Sequence, residues 1–208
     1  MTGPVGLGFR VLKGGSVVVG VTTNGNEPRI VSSSFLATAA ENDRLSLEPY
    51  HVAAEMARGP DGGASAQAAA AVAEGRRRQD MCAAAGLGDI IDTLRTAGSE
   101  PVVAALLVNR AGWISDLLDY SLAFADHPPV AEGLAVRDAL RFAFGRLGID
   151  VMEMDEKSLG ESASKQLGLE SADIDARLKT LGTTVGKPWR KEQKLACLAA
   201  WVAVAARR

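Results

Sequence analysis

The sequence predicts an α/β protein: a mixed five-stranded sheet, made of an antiparallel β-β-β meander plus two helix-linked strands, with helices on both faces. Three observations carry this. The chain opens with three apolar, β-type runs, VGLGFRVLK, SVVVGVTT and EPRIVSSSFLAT, separated by turn signals. Two later runs of strand length, PVVAALLVN and IDVMEMD, each follow a helical stretch. The remaining segments repeat their apolar residues at helical spacing.

The elements follow in order. Gly14-Gly15 supplies the positive φ that a tight hairpin needs between the first two strands. Asn24-Gly25-Asn26 turns the chain into the third strand. LSLEPYHVAAEMA reads as a short helix that GPDGG at 59–63 ends. ASAQAAAAVAEGRRRQDMCAAA favours helix by alanine propensity. Gly86 and Gly88 are expected to interrupt it, so that DIIDTLRTAG forms a separate helix closed by Gly98. PVVAALLVN at 101–109 is continuously apolar, as a strand covered on both faces would be. GWISDLLDYSLAFA and, after the His127-Pro128-Pro129 break, VAEGLAVRDALRFAFGRLG are amphipathic helices. IDVMEMD follows the Gly148 stop. Short helices around ESASKQLG and ADIDARLKTLG lead to a last helix, expected to start at Pro188.

Composition narrows the function classes. The chain has 208 residues and a net charge of -2, which argues against a generally basic nucleic-acid binder and leaves local patches open. Cys82 and Cys197 have no metal-type spacing and read as buried thiols of a cytosolic protein. No signal peptide is read in MTGPVGLGFR, and LACLAAWVAVAARR is too short and alanine-rich to span a bilayer. The expectation is a cytoplasmic protein with no membrane partner. Neither a GxxxxGK[ST] loop nor a GxGxxG after a strand is present.

The succession opened by VGLGFRVLKGGSVVVGV resembles the ribonuclease H-like fold, shared by ribonuclease H and the Holliday-junction resolvases. The resemblance lies in element order over essentially the whole chain, and no signature string supports it. It implies one domain over 1–208, with helical insertions around 59–98 and 156–182. Nucleases of the family hold two Mg²⁺ ions with carboxylates from the first strand, the end of the fourth strand and the last helix. Two metals about 4 Å apart stabilise the attacking and leaving oxygens of a phosphoryl displacement. Here the first-strand position falls near Arg10, and the fourth strand ends at Asn109-Arg110. Only Glu192, beside Lys191 and Lys194, matches in the last helix, with Glu48 or Glu55 as additions from the helix after the meander. A guanidinium stays protonated and repels a cation. The set is depleted.

Several constellations carry two readings. Arg10 suits bidentate binding of phosphate or carboxylate, but its alternation with Phe9 and Val11 favours the solvent side of an edge strand. If buried, it needs a partner, and Asp155 is the candidate. Asp155, with Glu153, could join Glu192 or Asn109 as a cation site, although acids at a strand end more often cap the next helix. Asp126-His127 reads as a surface turn more readily than as a general base. Arg76-Arg77-Arg78, Arg137, Arg141 and the group Lys187, Arg190, Lys191 and Lys194 would track phosphates if they converged on one face. The stripes Trp113, Tyr120, Phe124 and Leu195, Leu198, Trp201, Val202 read as core faces, either of which would also suit a homodimer.

The expected function is binding of nucleic acid or a phosphorylated ligand without standard two-metal nuclease activity. The ligand or phosphate candidates are Arg10, Asn109, Arg110 and Lys191, and the metal candidates are Asp155 and Glu192. No cofactor is implied unless a rearranged acid set such as Glu55, Asp155 and Glu192 makes a nuclease, in which case Mg²⁺ is. A non-catalytic interaction scaffold is the third reading.

Overall fold

The computed structural model describes residues 3–25, 27–109, 114–124 and 128–207. Its strands are β1 (Pro4–Leu12), β2 (Gly15–Asn24), β3 (Glu27–Ala37), β4 (Glu100–Val108) and β5 (Val151–Asp155). They form one sheet in the order β3-β2-β1-β4-β5. The meander is antiparallel, with Arg10 opposite Val17 and Ser16 opposite Leu36, and β4 and β5 add in parallel. The mixed sheet read from the sequence is therefore the one observed. Its helices are α1 (Arg44–Leu47), α2 (Pro49–Ala54), α3 (Ala66–Thr96), α4 (Leu117–Ala123), α5 (Pro128–Leu147), α6 (Leu159–Leu167), α7 (Ser171–Val185) and α8 (Lys191–Ala205).

Three element readings are corrected. Gly86 and Gly88 do not break the alanine-rich helix, and α3 runs unbroken for 31 residues. Each glycine costs about 1 kcal/mol of propensity, but the buried stripe of Ala83, Ala84, Leu87, Ile91 and Leu94 continues across both and outweighs it. The segment LSLEPYHVAAEMA makes two helices, because the residue before Pro49 is disfavoured in α conformation and Glu48 sits at φ -147°. The last helix begins at Lys191, where the Arg190 amide donates to Gln193 Oε1 at 3.0 Å.

Side-chain alternation along β1 sorts the two faces. Val5, Leu7 and Phe9 point to the side covered by α3 and α5, where Phe9 meets Phe144 edge-to-face at 4.9 Å. The opposite side lies under α8, which α6 and α7 cover in turn. Leu198, Trp201 and Val202 are buried in that layer, so this stripe is core and not a free face for a second copy. Burial pushes the Cys197 thiol up to about 12, leaving it inert at neutral pH.

On the α8 side β1 presents Gly6, Gly8 and Arg10. A Cβ on Gly6 would press on Ala200 O and Val204, and one on Gly8 would collide with the carbonyl of Ala196. The helix thus lies directly on the strand backbone. Two strand residues advance about 6.6 Å and one helical turn about 5.4 Å. Gly6 over Ala200 and Gly8 over Ala196 therefore bring Arg10 to Glu192, one turn earlier on α8.

Candidate phosphate-binding site

Arg10 is the end point of that alignment. Its side chain is only 17% exposed; Nη2 donates to Glu156 Oε1 at 3.2 Å, and Nη1 lies 3.5 Å from Glu192 Oε1. Its Nε is buried without a partner among the described residues. This corrects the edge-strand reading: β1 lies between β2 and β4, and Arg10 faces α8 rather than solvent. The partner is also different. Asp155 Oδ1 accepts from the Lys157 amide at 2.8 Å, and Glu156, one residue on, reaches Arg10. The Glu156 amide donates to Val108 O at 2.9 Å, which ties the end of β5 to the end of β4.

The other candidates are distributed as follows. Asn109 follows β4 and lines two adjoining cavities at the carboxyl ends of β1 and β4, the end at which open α/β sheets place ligands. Lys191 is exposed at the first position of α8, beside Glu192. Arg110, Asp126, His127 and Trp113 lie outside the described residues. Glu55 is held by Arg44 in an exposed ion pair, and Glu153 is held by Arg141.

The arginines at 76–78 and Arg141 are not free charge. Arg76 pairs with Asp138, Arg77 with Glu74, Arg78 with Glu74 and Asp43, and Arg141 with Asp138 and Glu153. Arg137 is different. It donates to Leu107 O at 3.4 Å and makes no ion pair among the described residues. Burial lowers its pKa, and Arg141 and Arg10 push the same way against Glu156 and Glu153. A cation held under that pressure gains from a bound anion. It borders both cavities with Asn109 and Leu134, one of about 430 Å³ beside Lys13 and His51, the other of about 580 Å³ beside Arg76 and Arg141. Sequence spacing marked Arg137 only as one of many arginines; nothing in it set this one apart as a cavity-lining arginine with no ion pair among the described residues.

Glu132 was also missed. It is 7% exposed in the wall of the smaller cavity, and its Oε1 accepts from the Tyr50 and His51 amides, each at 2.9 Å. Oε2 is buried without a partner. Burial raises this carboxyl from 4.5 to about 7, against the pull of the two amides. A raised folded-state value means that the stabilising contribution is complete below about 4.5 and is lost as pH climbs through about 7. Urea unfolding between pH 5 and pH 8 is expected to show a loss on the order of 3 kcal/mol from this group. In Glu132→Gln the slope should flatten; an unchanged profile would show that Glu132 does not set it.

No protein-family model and no curated protein matches the chain in sequence. Among solved structures it is similar to Thermus thermophilus RuvC, with a TM-score of 0.53, 11% identity and coverage of 98% of this chain and 95% of that one. It is equally similar to T. thermophilus RuvC in complex with Holliday junction substrate, at 0.55, 11%, 98% and 94%. The fold is ribonuclease H-like, of the RuvC kind. The order anticipated from the opening hairpin is therefore borne out over nearly the whole chain.

Nucleases of the ribonuclease H-like fold hold a pair of metal ions with carboxylates, and the residues around Arg10 do not fit such a pair. The guanidinium pairs with both Glu156 and Glu192 and places a fixed positive charge between them. Among the described residues no group of three or more His, Cys, Asp or Glu side chains is arranged to hold a metal ion. Nor, among them, is any helix long and apolar enough to cross a membrane.

Proposed function

We propose that this chain binds nucleic acid through its phosphates and does not cleave it by two-metal chemistry. The observation that carries the reading is Arg10, bridging Glu156 and Glu192 at the carboxyl end of the sheet. Two-metal hydrolysis needs carboxylate oxygens free to coordinate hard cations. With a fixed guanidinium paired to both, those carboxylates serve the fold, and its permanent positive charge opposes the entry of a divalent ion.

Binding rests on the cations that the ion-pair network leaves over. Arg137 offers a planar fork at the junction of two cavities. Lys187, Arg190, Lys191 and Lys194 surround the start of α8 and make no ion pair among the described residues. The RuvC-like fold supports nucleic acid over other phosphorylated ligands, since one of the similar structures carries a Holliday junction substrate.

Fluorescence anisotropy with branched and linear duplex DNA checks this. Affinity is expected to fall steeply from 50 to 200 mM salt, with a log–log slope of about -0.9 for each phosphate neutralised. Arg137→Gln should weaken binding and reduce the slope by about 1. Absence of binding at 50 mM salt would leave the interaction-scaffold reading in its place.

A further inference from the structure

The smaller cavity has a composition that phosphate binding alone does not require. Val130, Gly133, Leu134 and Arg137 recur at i, i+3, i+4 and i+7, so one face of α5 lines it. Val11 and Leu12 from the end of β1 line it as well. Glu132 lines it too, and its Oε2 is buried with no donor among the described residues. An unpaired carboxylate oxygen in an apolar cavity is costly unless a ligand supplies an N–H. Arg137, which makes no ion pair among the described residues, stands five residues further along the same helix and lines the same cavity. One ligand could therefore carry an anion to Arg137 and a planar N–H donor to Glu132.

We propose that this cavity takes the base of a single nucleotide, held between apolar side chains with an N–H edge toward Glu132, while its phosphate sits on Arg137. The inference rests on the phosphate-binding reading and adds to it a base outside the stack. Enzymes and binding proteins that admit such a base pay for its unpairing and recover the loss through apolar contacts and a few polar ones. A volume of about 430 Å³ is within the range of small-ligand sites. The same chemistry is offered by a free nucleotide and by an unpaired nucleotide within a strand.

Gly133 provides a way to close the cavity without damaging the fold. It is helical, and a Cβ added there meets nothing within 4 Å, so a side chain at this position enters open space. The experiment measures anisotropy of labelled DNA hairpins that are fully paired, carry one unpaired adenosine, or carry an abasic residue at that position. Free AMP and ribose 5-phosphate serve as competitors. The unpaired adenosine is expected to bind about tenfold more tightly than the abasic residue, and Gly133→Leu should remove that preference. If AMP outcompetes ribose 5-phosphate while the two hairpins bind alike, the occupant is a free nucleotide, and Gly133→Leu should then abolish the advantage of AMP. Equal binding of adenosine and abasic hairpins together with equal competition by the two small molecules would overturn the inference. It would leave phosphate binding intact. Failure of every probe to bind at low salt would instead remove the underlying reading as well.

Discussion

Arg10→Asp is expected to convert the end of β1 from a site that substitutes for a cation into one that demands it. The wild-type guanidinium satisfies Glu156 and Glu192 at 3.2 and 3.5 Å in a half-buried setting. Its replacement leaves those two carboxylates uncompensated and adds a third. Losing one partner of a buried pair costs about 3–5 kcal/mol; with both acids near 30% exposed, about 2–4 kcal/mol is expected here. Three clustered carboxylates form an oxygen-rich site for a hard divalent ion. The variant should therefore unfold at lower temperature in EDTA and recover with millimolar Mn²⁺ or Mg²⁺. Saturation at 100 times Kd would return about 2.7 kcal/mol. The wild type should show no comparable shift. A variant indifferent to metal, or a wild type equally stabilised by it, would remove Arg10 from the role given to it.

Gly8→Ala is expected to be the most damaging single methyl addition to the sheet. The new Cβ would collide with the Ala196 carbonyl, and neither side can give way. β1 is hydrogen-bonded to β2 and β4, and α8 is held against it by α6 and α7. Forcing the layers apart should cost about 3 kcal/mol or more, read as a fall in the urea midpoint. It should also weaken DNA binding, because the same helix carries Lys191 and Lys194. Gly145→Ala on α5 is the control. A Cβ there meets nothing within 4 Å, and the change should be neutral or stabilising by up to about 1 kcal/mol. Comparable stability of the two variants would mean that the helix does not rest on the strand as described.

Much of this architecture was legible in the chain. Strand and turn chemistry around Gly14-Gly15 marked the meander, and the uninterrupted apolarity of PVVAALLVN marked a strand covered on both faces, as β4 is. The misread helix boundary at Gly86 and Gly88 had a physical cause: propensity is local, whereas the packing of Leu87 and Ile91 under the sheet is not. Arg10 was legible as an anomaly and illegible as a contact. Period-two alternation says that residues 6, 8 and 10 share a face, but it does not say whether that face meets solvent or a helix. The two glycines held the answer, since a strand that drops its side chains at alternate positions leaves room for a backbone to approach. Glu132 and Arg137 were not distinguishable from other charges on a helix. Their importance lies in what is absent around them among the described residues, a donor for Glu132 Oε2 and a carboxylate for Arg137, and sequence spacing does not record absences.

If Arg10 stands in for the metal pair of ribonuclease H-like nucleases, the chain holds nucleic acid without cutting it. The most direct measurement incubates the wild-type protein with four-way-junction DNA and with an RNA–DNA hybrid in Mg²⁺ or Mn²⁺, and follows binding and strand cleavage in the same samples. Salt-sensitive binding with intact strands is predicted. Robust metal-dependent cleavage that Glu192→Ala abolishes would contradict it.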